Sequence, residues 1–400
     1  AIILPKNSPN LIHDLFNGVK SLEFNTPKIK NKNDINTNIY LGFSWLIKGH
    51  NPINKKTIKM IKKDSNDVSA TQIAGCDPVV MADAAKICED NGADIIVCPR
   101  VTDAAVVIGP AAWKFKWNRN DYDALAGALA AGHIIECGCQ ATGGNYSFFK
   151  EIDSFDNVGY PIAEIQEDGS FFITKHPNTG GLVSKGTVTA QLLYEISSPA
   201  YINPDVVAHF DTLKIVDVEK DKVFVSGCRG SSPPKEHKVC INLSGGFRNG
   251  MEIILTGLDI EEKANVFTNT LFNSVGGKEQ FDEVSIQLHR TDKHDANTNE
   301  EAMASLVISV KSKDPNLVGR LFSAKIIELA LANIPGFFAQ SGVKTSGPVI
   351  VYWPALVKSK YIKEIVHVDG KDIEVEPTSQ LNLEEIYYQK EPVKLEKIEI

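Results

Sequence analysis

The stretch that decides the fold reads Asp77-Pro-Val-Val-Met-Ala-Asp-Ala-Ala-Lys-Ile-Cys-Glu-Asp-Asn-Gly92-Ala-Asp-Ile-Ile-Val97. Asp77 suits a helix N-cap, and Pro78 suits the first helical position, where a missing N–H costs nothing. Val80, Ala84, Ile87 and Cys88 recur at helical spacing, and Asn91-Gly92 ends the run. The apolar, β-branched run up to Val97 has the pattern of a buried strand. Helix, glycine stop and buried strand make one step of a parallel α/β sheet. Arg100, Thr102 and Asp103 follow directly, beyond the carboxyl end of that strand, where open sheets collect their ligands.

Toward the N-terminus the character changes. Residues 1–70 hold eleven Lys against five Asp or Glu, a local excess of +6, whereas the whole chain carries −8. Asn31, Asn33, Asn36 and Asn38 nearly alternate through what reads as a loop. This Asn/Lys-rich segment is poorly defined as a fold. The acidic remainder argues against nucleic acid as a partner, since such binders show a basic footprint.

Toward the C-terminus, residues 212–226 read as a hairpin. The apolar phase slips between Ile215 and Val216, as a bulge would allow, and Glu219-Lys-Asp-Lys222 supplies the turn. Beyond it, Val239 to Leu243 and Glu252 to Thr256 read as two strands joined through Gly245-Gly246 and Asn249-Gly250. Asp259 to Phe272 and Asn316 to Ala332 read as helices. Val284 to His289, Ser305 to Val310 and Pro348 to Trp353 read as strands. The expected architecture is therefore an α/β part over 71–237, then an α+β layer of split-βαβ character over 238–376, with a charged tail over 377–400. Four hundred residues also exceed what one hydrophobic core usually serves.

Seven cysteines, odd in number and scattered, imply no disulfide framework and suit a reducing compartment. No apolar run approaches the length needed to span a bilayer, so no membrane partner is expected. The opening Ala1-Ile-Ile-Leu-Pro5 is too short for the apolar part of a secretion signal and lacks an initiator Met. The expected location is the cytoplasm, or an organelle matrix after loss of a targeting segment.

Several residues could carry chemistry. Arg100 can clamp a carboxylate or phosphate with Asp103 as base, or the two can simply pair with each other. His133 and Glu136 stand at i, i+3 after the Ala-rich helix expected over Ala124 to Ala131, suited either to acid–base work or to a satisfied buried histidine. Cys137-x-Cys139 lacks a second pair at zinc spacing, so no metal is expected. Gly143-Gly144-Asn145 and Gly180-Gly181, the latter preceded by Lys175-His176, could hold an anion on backbone amides or could be tight turns. Trp113 and Trp117 read as core.

Taken together, these blocks resemble the acyclic terpene utilisation (AtuA-type) family over about residues 92–376. They include Arg100-Val-Thr-Asp-Ala-Ala105, Gly132-His-Ile-Ile-Glu-Cys-Gly-Cys-Gln-Ala-Thr-Gly-Gly-Asn145 and Thr174-Lys-His-Pro-Asn-Thr-Gly-Gly181. Gly186-Thr-Val-Thr-Ala-Gln-Leu-Leu-Tyr-Glu195, Val225-Ser-Gly-Cys-Arg-Gly230 and Val351-Tyr-Trp-Pro-Ala355 continue them in order. The resemblance implies degradation of acyclic terpenoids or branched acids, with an anionic small-molecule ligand such as an acyl-CoA or carboxylate. Arg100, Asp103, His133 and Glu136 are the candidates for chemistry. Thr102, Gly143, Gly144, Asn145, Lys175, His176, Gly180 and Gly181 become the candidates for holding the ligand. A shorter stretch, residues 72–96, is similar to one helix–strand step of the tRNA-dihydrouridine synthases, but the later catalytic part of that flavin barrel is missing, so no flavin is expected and the cofactor is open. Two other readings stand beside the leading one: a flavin-dependent tRNA-modifying fusion, and a non-catalytic subunit assisting an acyl-CoA carboxylase. A homo-oligomer is compatible with each.

Overall fold

The computed structural model describes residues 101–358 continuously, and beyond them only short strands. Those before residue 101 are β1 (Ile2–Ile3), β2 (Ala70–Ile73) and β3 (Ile96–Val97). The helix expected from Asp77, Arg100, the tail over 377–400 and nearly all of the Asn/Lys-rich segment lie outside the described residues. The ladder formed by β3 is antiparallel, with β1, where the step read from the sequence would give a parallel one. The fold is mixed α/β, and every strand–strand ladder among the described residues for which a register is defined is antiparallel. Contacts divide the chain into two compact units, one holding residues 73–241 and the chain ends, the other residues 242–353 with 67–72.

The first unit is built on two helices, α1 (Ile108–Phe115) and α2 (Tyr122–Ile135). Every residue of α2 from Leu125 to Ile134 is buried, because its sequence is small and apolar all round rather than along one stripe. It packs on β4 (Pro161–Ile165), β5 (Phe171–Lys175) and the 3-10 turn Asp103–Val107. Gly132 allows the closest of these approaches: a Cβ there would overlap the Ala104 carbonyl oxygen. Trp117 is core as expected, its Nε1 donating to the Glu167 carbonyl at 2.8 Å, whereas Trp113 is half-buried with the Lys116 ammonium 5.0 Å over its ring.

A third helix, α3 (Lys185–Leu192), opens on a capping box in which Ser184 accepts from the Thr187 amide and Thr187 from the Ser184 amide. After it come β6 (Ala200–Ile202), β7 (Val207–His209), β8 (Lys214–Glu219), β9 (Lys222–Ser226) and β10 (Arg229–Ser231). They form two sheets, ordered β4-β5-β9-β8 and β10-β7-β6. The β8–β9 hairpin carries its register shift between Asp217 and Glu219, next to the phase slip legible in the sequence.

The second unit is an antiparallel sheet built around β11 (Glu236–Thr256). Two strands and a hairpin connection were expected here, but the chain runs on through Gly245-Gly246 and Asn249-Gly250 without reversing. The glycines serve close approach instead: a Cβ on Gly245 would stand 2.7 Å from the Val351 side chain, and Gly246 takes φ +89°. The buried Asn249 side chain donates to the carbonyls of Gly319 and Lys344, so it tethers neighbouring loops rather than forming a turn.

Helix α4 (Ile260–Ser274) follows, then β12 (Glu283–His289), β13 (Met303–Ser312), α5 (Arg320–Glu328), β14 (Phe337–Ala339) and β15 (Gly347–Lys358). Met251, Ile253 and Leu255 of β11 alternate onto the same face as Leu306, Ile308 and Val310 of β13. With Phe267 and Leu271 of α4 and Phe322 and Ile326 of α5 they make one core. Helix α5 is shorter than read from the sequence, since Ala330 and Ala332 bond three residues back, in turns, and Gly319 is its N-cap. The hairpin of β16 (Glu364–Val368) and β17 (Lys371–Val375) belongs to the first unit.

Candidate functional site

The sequence-predicted residues of the first unit fall into two groups, at the two ends of α3. At its N-terminal end the two glycine pairs meet each other. The Leu182 amide donates to the Thr142 carbonyl at 2.9 Å, and a Cβ on Gly181 would overlap that same carbonyl oxygen. Positive φ at Gly143, Asn145 and Gly181 makes these turns. Their amides are engaged inside the fold: Gly144 donates to Cys139, Gly180 to Asn157 and Gly181 to Ser154, with Gly143 bonding Gln140 at 3.4 Å. The donors on which an anion cradle would rest are thus bonded to protein carbonyls. Lys175 is similarly engaged, its ammonium donating to the Thr179 carbonyl at 2.8 Å and lying 3.3 Å from Asp221. Asn145 and His176 are exposed.

At the other end, the last turn of α2 meets the last turn of α3. His133 is 2% exposed, and its ring lies against Tyr201 and Phe210, with centroids 5.1 and 5.7 Å away. Gln191 of α3 donates from Nε2 to the His133 carbonyl at 3.2 Å. Burial lowers the His133 pKa, so the imidazole is neutral. The backbone of Gln191 and Tyr194, which takes a hydrogen bond from the ring, and the Glu195 carboxylate act against burial without reversing it. His133 Nε2 is buried without a hydrogen-bond partner among the described residues. Gln191 Oε1 is likewise buried without a partner among the described residues.

Around this buried pair stand half-buried Glu136, Cys137 and Tyr194 and exposed Glu195. The Cys137 thiol donates to Glu136 Oε1 at 3.3 Å. Partial burial and that carboxylate push the thiol up to about 11, so it is a donor at neutral pH and not a thiolate nucleophile. Glu195, hydrogen-bonded to Tyr194, raises the tyrosine pKa. Cys139 turns elsewhere, toward the Val158 carbonyl at 3.5 Å. Among the described residues no group of three His, Cys, Asp or Glu stands close enough to hold a metal ion.

Thr102 and Asp103 begin the 3-10 turn that packs on Gly132, one residue from His133. The Thr102 hydroxyl is buried without a partner among the described residues, and Asp103 is exposed. Asn203, two residues beyond Tyr201, is 2% exposed, with both side-chain polar atoms unpartnered among the described residues.

His133 and Glu136 thus both lie at the end of α2 beside Gln191, Tyr194, Glu195, Tyr201 and Asn203, which were missed by sequence reasoning. Gln191 left one signal. It occupies the apolar face of α3 with Thr187, Val188 and Leu192, where a carboxamide needs a partner.

The model of the family described as acyclic terpene utilisation family protein AtuA matches residues 47–368, a range that takes in residues 72–96 and both glycine pairs. No curated protein and no solved structure matches the chain. No helix among the described residues is long and apolar enough to cross a membrane. With well over half its length matched, the chain belongs to the acyclic terpene utilisation family AtuA and has a role in that utilisation.

Proposed function

We propose that the chain is an enzyme acting on a branched-chain acyl thioester or carboxylate, with His133 as its general base. The observation that carries this reading is the neutral, buried imidazole whose Nε2 is unpartnered among the described residues. A base needs a free lone pair, which a neutral imidazole offers at one of its ring nitrogens. The Tyr201 and Phe210 rings give the apolar wall that a branched acyl chain requires. Asn203 Nδ2, on the strand end that carries Tyr201, is a buried donor suited to the acyl carbonyl. Glu136 tunes the rim, Arg100 holds the anionic end of the ligand by a bidentate fork, and Asp103 is a second candidate base. The glycine pairs shape the first unit that supports this site.

The test is turnover of a panel of branched acyl-CoA thioesters by the full chain. His133→Gln is expected to lower kcat by about 10²–10⁴-fold, the contribution of a positioned base, with far-UV and near-UV spectra unchanged. Arg100→Ala is expected to raise KM instead. Unaltered kcat in His133→Gln would remove the base from the mechanism.

A further inference from the structure

The sheet β10-β7-β6 has two chemically different faces. Side chains alternate along each strand, and Ala208 of β7 pairs with Tyr201 on one side and Gly230 on the other. These three face α2: Tyr201 meets the His133 ring, and a Cβ on Gly230 would overlap the Tyr122 carbonyl. The opposite face therefore carries His209 and Val207 of β7, Ser231 of β10, and Ala200 and Ile202 of β6. There His209 Nε2 and Ser231 Oγ stand 3.0 Å apart, both residues half-buried. Ser231 is the diagonal cross-strand neighbour of His209, so two paired strands and not a loop fix their separation. The Thr212 hydroxyl tightens the arrangement, donating to the His209 carbonyl at 2.6 Å and accepting from the Arg229 amide at 2.8 Å. At the edge of β10 the Gly230 amide and the Arg229 guanidinium donate to Asp123 at 2.8 and 2.7 Å. Burial acts to raise the Asp123 pKa, but those two donors outweigh it, and the carboxylate keeps its charge. A serine hydroxyl is a weak nucleophile until a base takes its proton, and here a base stands within reach. The neighbouring Cys228 thiol, pushed up to about 12 first by burial, offers no thiolate in competition.

We propose that Ser231 and His209 form a second catalytic centre, a nucleophile and its base, that takes the acyl group of a short-chain ester or thioester. In the step, Ser231 Oγ forms a bond to the acyl carbonyl carbon while its proton passes to His209 Nε2. The C–O or C–S bond then breaks, and the imidazolium returns the proton to the leaving oxygen or sulfur. Ser231 is left as an acyl ester. A water molecule, giving its proton to the same Nε2, attacks that ester, releases the carboxylic acid and restores the hydroxyl. The sum is one water consumed for one acyl bond cleaved, with no oxidant or reductant. Ala200, Val207 and Ile202 pack together on the same face, and only Ile202 of the three is half-buried, so the apolar room suits a short chain. The centre does not depend on His133, which meets the sheet from its other face.

The test uses the full chain and an alkyl fluorophosphonate, which phosphonylates a serine that a base activates and releases fluoride. Digestion and mass spectrometry of the parent chain are expected to place a single adduct on Ser231, and none on the chain held unfolded in urea. His209→Gln is expected to slow that labelling by about 10²–10⁴-fold, the contribution of a positioned base. No adduct on Ser231, equal labelling of the folded and unfolded chain, or an unchanged rate in His209→Gln would each overturn the proposal. Because the first readout needs no variant, it stands even if His209→Gln fails to fold. Acid-quenched mixtures with p-nitrophenyl butanoate and with butanoyl-CoA then separate the two acyl sources. A butanoyl group on Ser231 is expected from at least one, and its absence from both would overturn the acyl chemistry. None of these outcomes touches the reading of His133, which is tested by His133→Gln.

Discussion

His133 stays buried only by staying neutral. Its folded pKa lies below the ordinary value of about 6.5, first because of burial, so the unfolded chain binds the proton more readily. Stability linked to this residue is therefore fully present above the unfolded value, and it falls as pH drops toward the folded one. Denaturant titrations at pH 8 and pH 5.5 should show a larger loss for the parent chain than for His133→Gln. An equal loss would mean that the imidazole protonates in place. Gly132 is the second residue on which the site depends. Helix propensity alone would favour alanine there by about 1 kcal/mol. The added Cβ, however, would overlap the Ala104 carbonyl, which is backbone and cannot swing away. Overpacking of that kind costs about 1–3 kcal/mol, so Gly132→Ala is expected to be net destabilising by up to about 2 kcal/mol in denaturant unfolding. At this scale the sequence was informative where polarity interrupts an apolar run, as at His133 and Glu136. It said little of Gln191: an amide on the apolar face of α3 calls for a partner, but nothing local says which. The glycine pairs it singled out have their amides bonded to protein carbonyls, the first pair nearby at Gln140 and Cys139 and the second farther off at Asn157 and Ser154.

Among the elements, the β8–β9 hairpin does more than close a sheet. Asp217 and Asp221, at its bulge and its turn, accept from the Lys185 and Val183 amides at 2.6 and 2.9 Å and so pin the start of α3. Asp221 also meets Lys175, whose side chain is only 6% exposed. Asp221→Asn keeps a residue that tolerates the observed φ of +57° and keeps an acceptor for Val183, but removes the charge. Its expected cost is about 2–4 kcal/mol, between a charged hydrogen bond and a buried ion pair. A Lys175→Met, Asp221→Asn double variant should recover part of that loss in the same unfolding assay. The hairpin was legible because its apolar residues alternate strictly on both sides of a single slip, which a bulge accommodates without leaving the sheet. The single long strand β11 was not, since Gly-Gly and Asn-Gly ordinarily reverse a chain. Here they instead admit the β15 side chains and a buried tether, which are tertiary facts.

At the scale of the whole molecule, two large apolar cores stand out among the described residues, one around α2 and one between the β11–β13 face and α4 and α5. That a chain of this length needs more than one core follows from its size. Within the first core, several bonds around the glycine pairs join residues distant in sequence, such as Gly180 to Asn157 and Gly181 to Ser154. Thr142 donates from its hydroxyl to the Gly159 carbonyl at 2.5 Å, seventeen residues away, and its own carbonyl receives Leu182. Val183 reaches thirty-eight residues to Asp221. Joining such remote segments requires closing long loops before any contact is gained, so this interlock should form after the folding transition state. A bond absent from the transition state slows escape from the native state without hastening arrival. Thr142→Val, which keeps the shape and loses the hydroxyl, should therefore leave the refolding rate unchanged in stopped-flow experiments. It should speed unfolding by about 5- to 30-fold, the equivalent of about 1–2 kcal/mol. The glycine-paired loops would then set the lifetime of the folded state, acting as a time lock on the first unit.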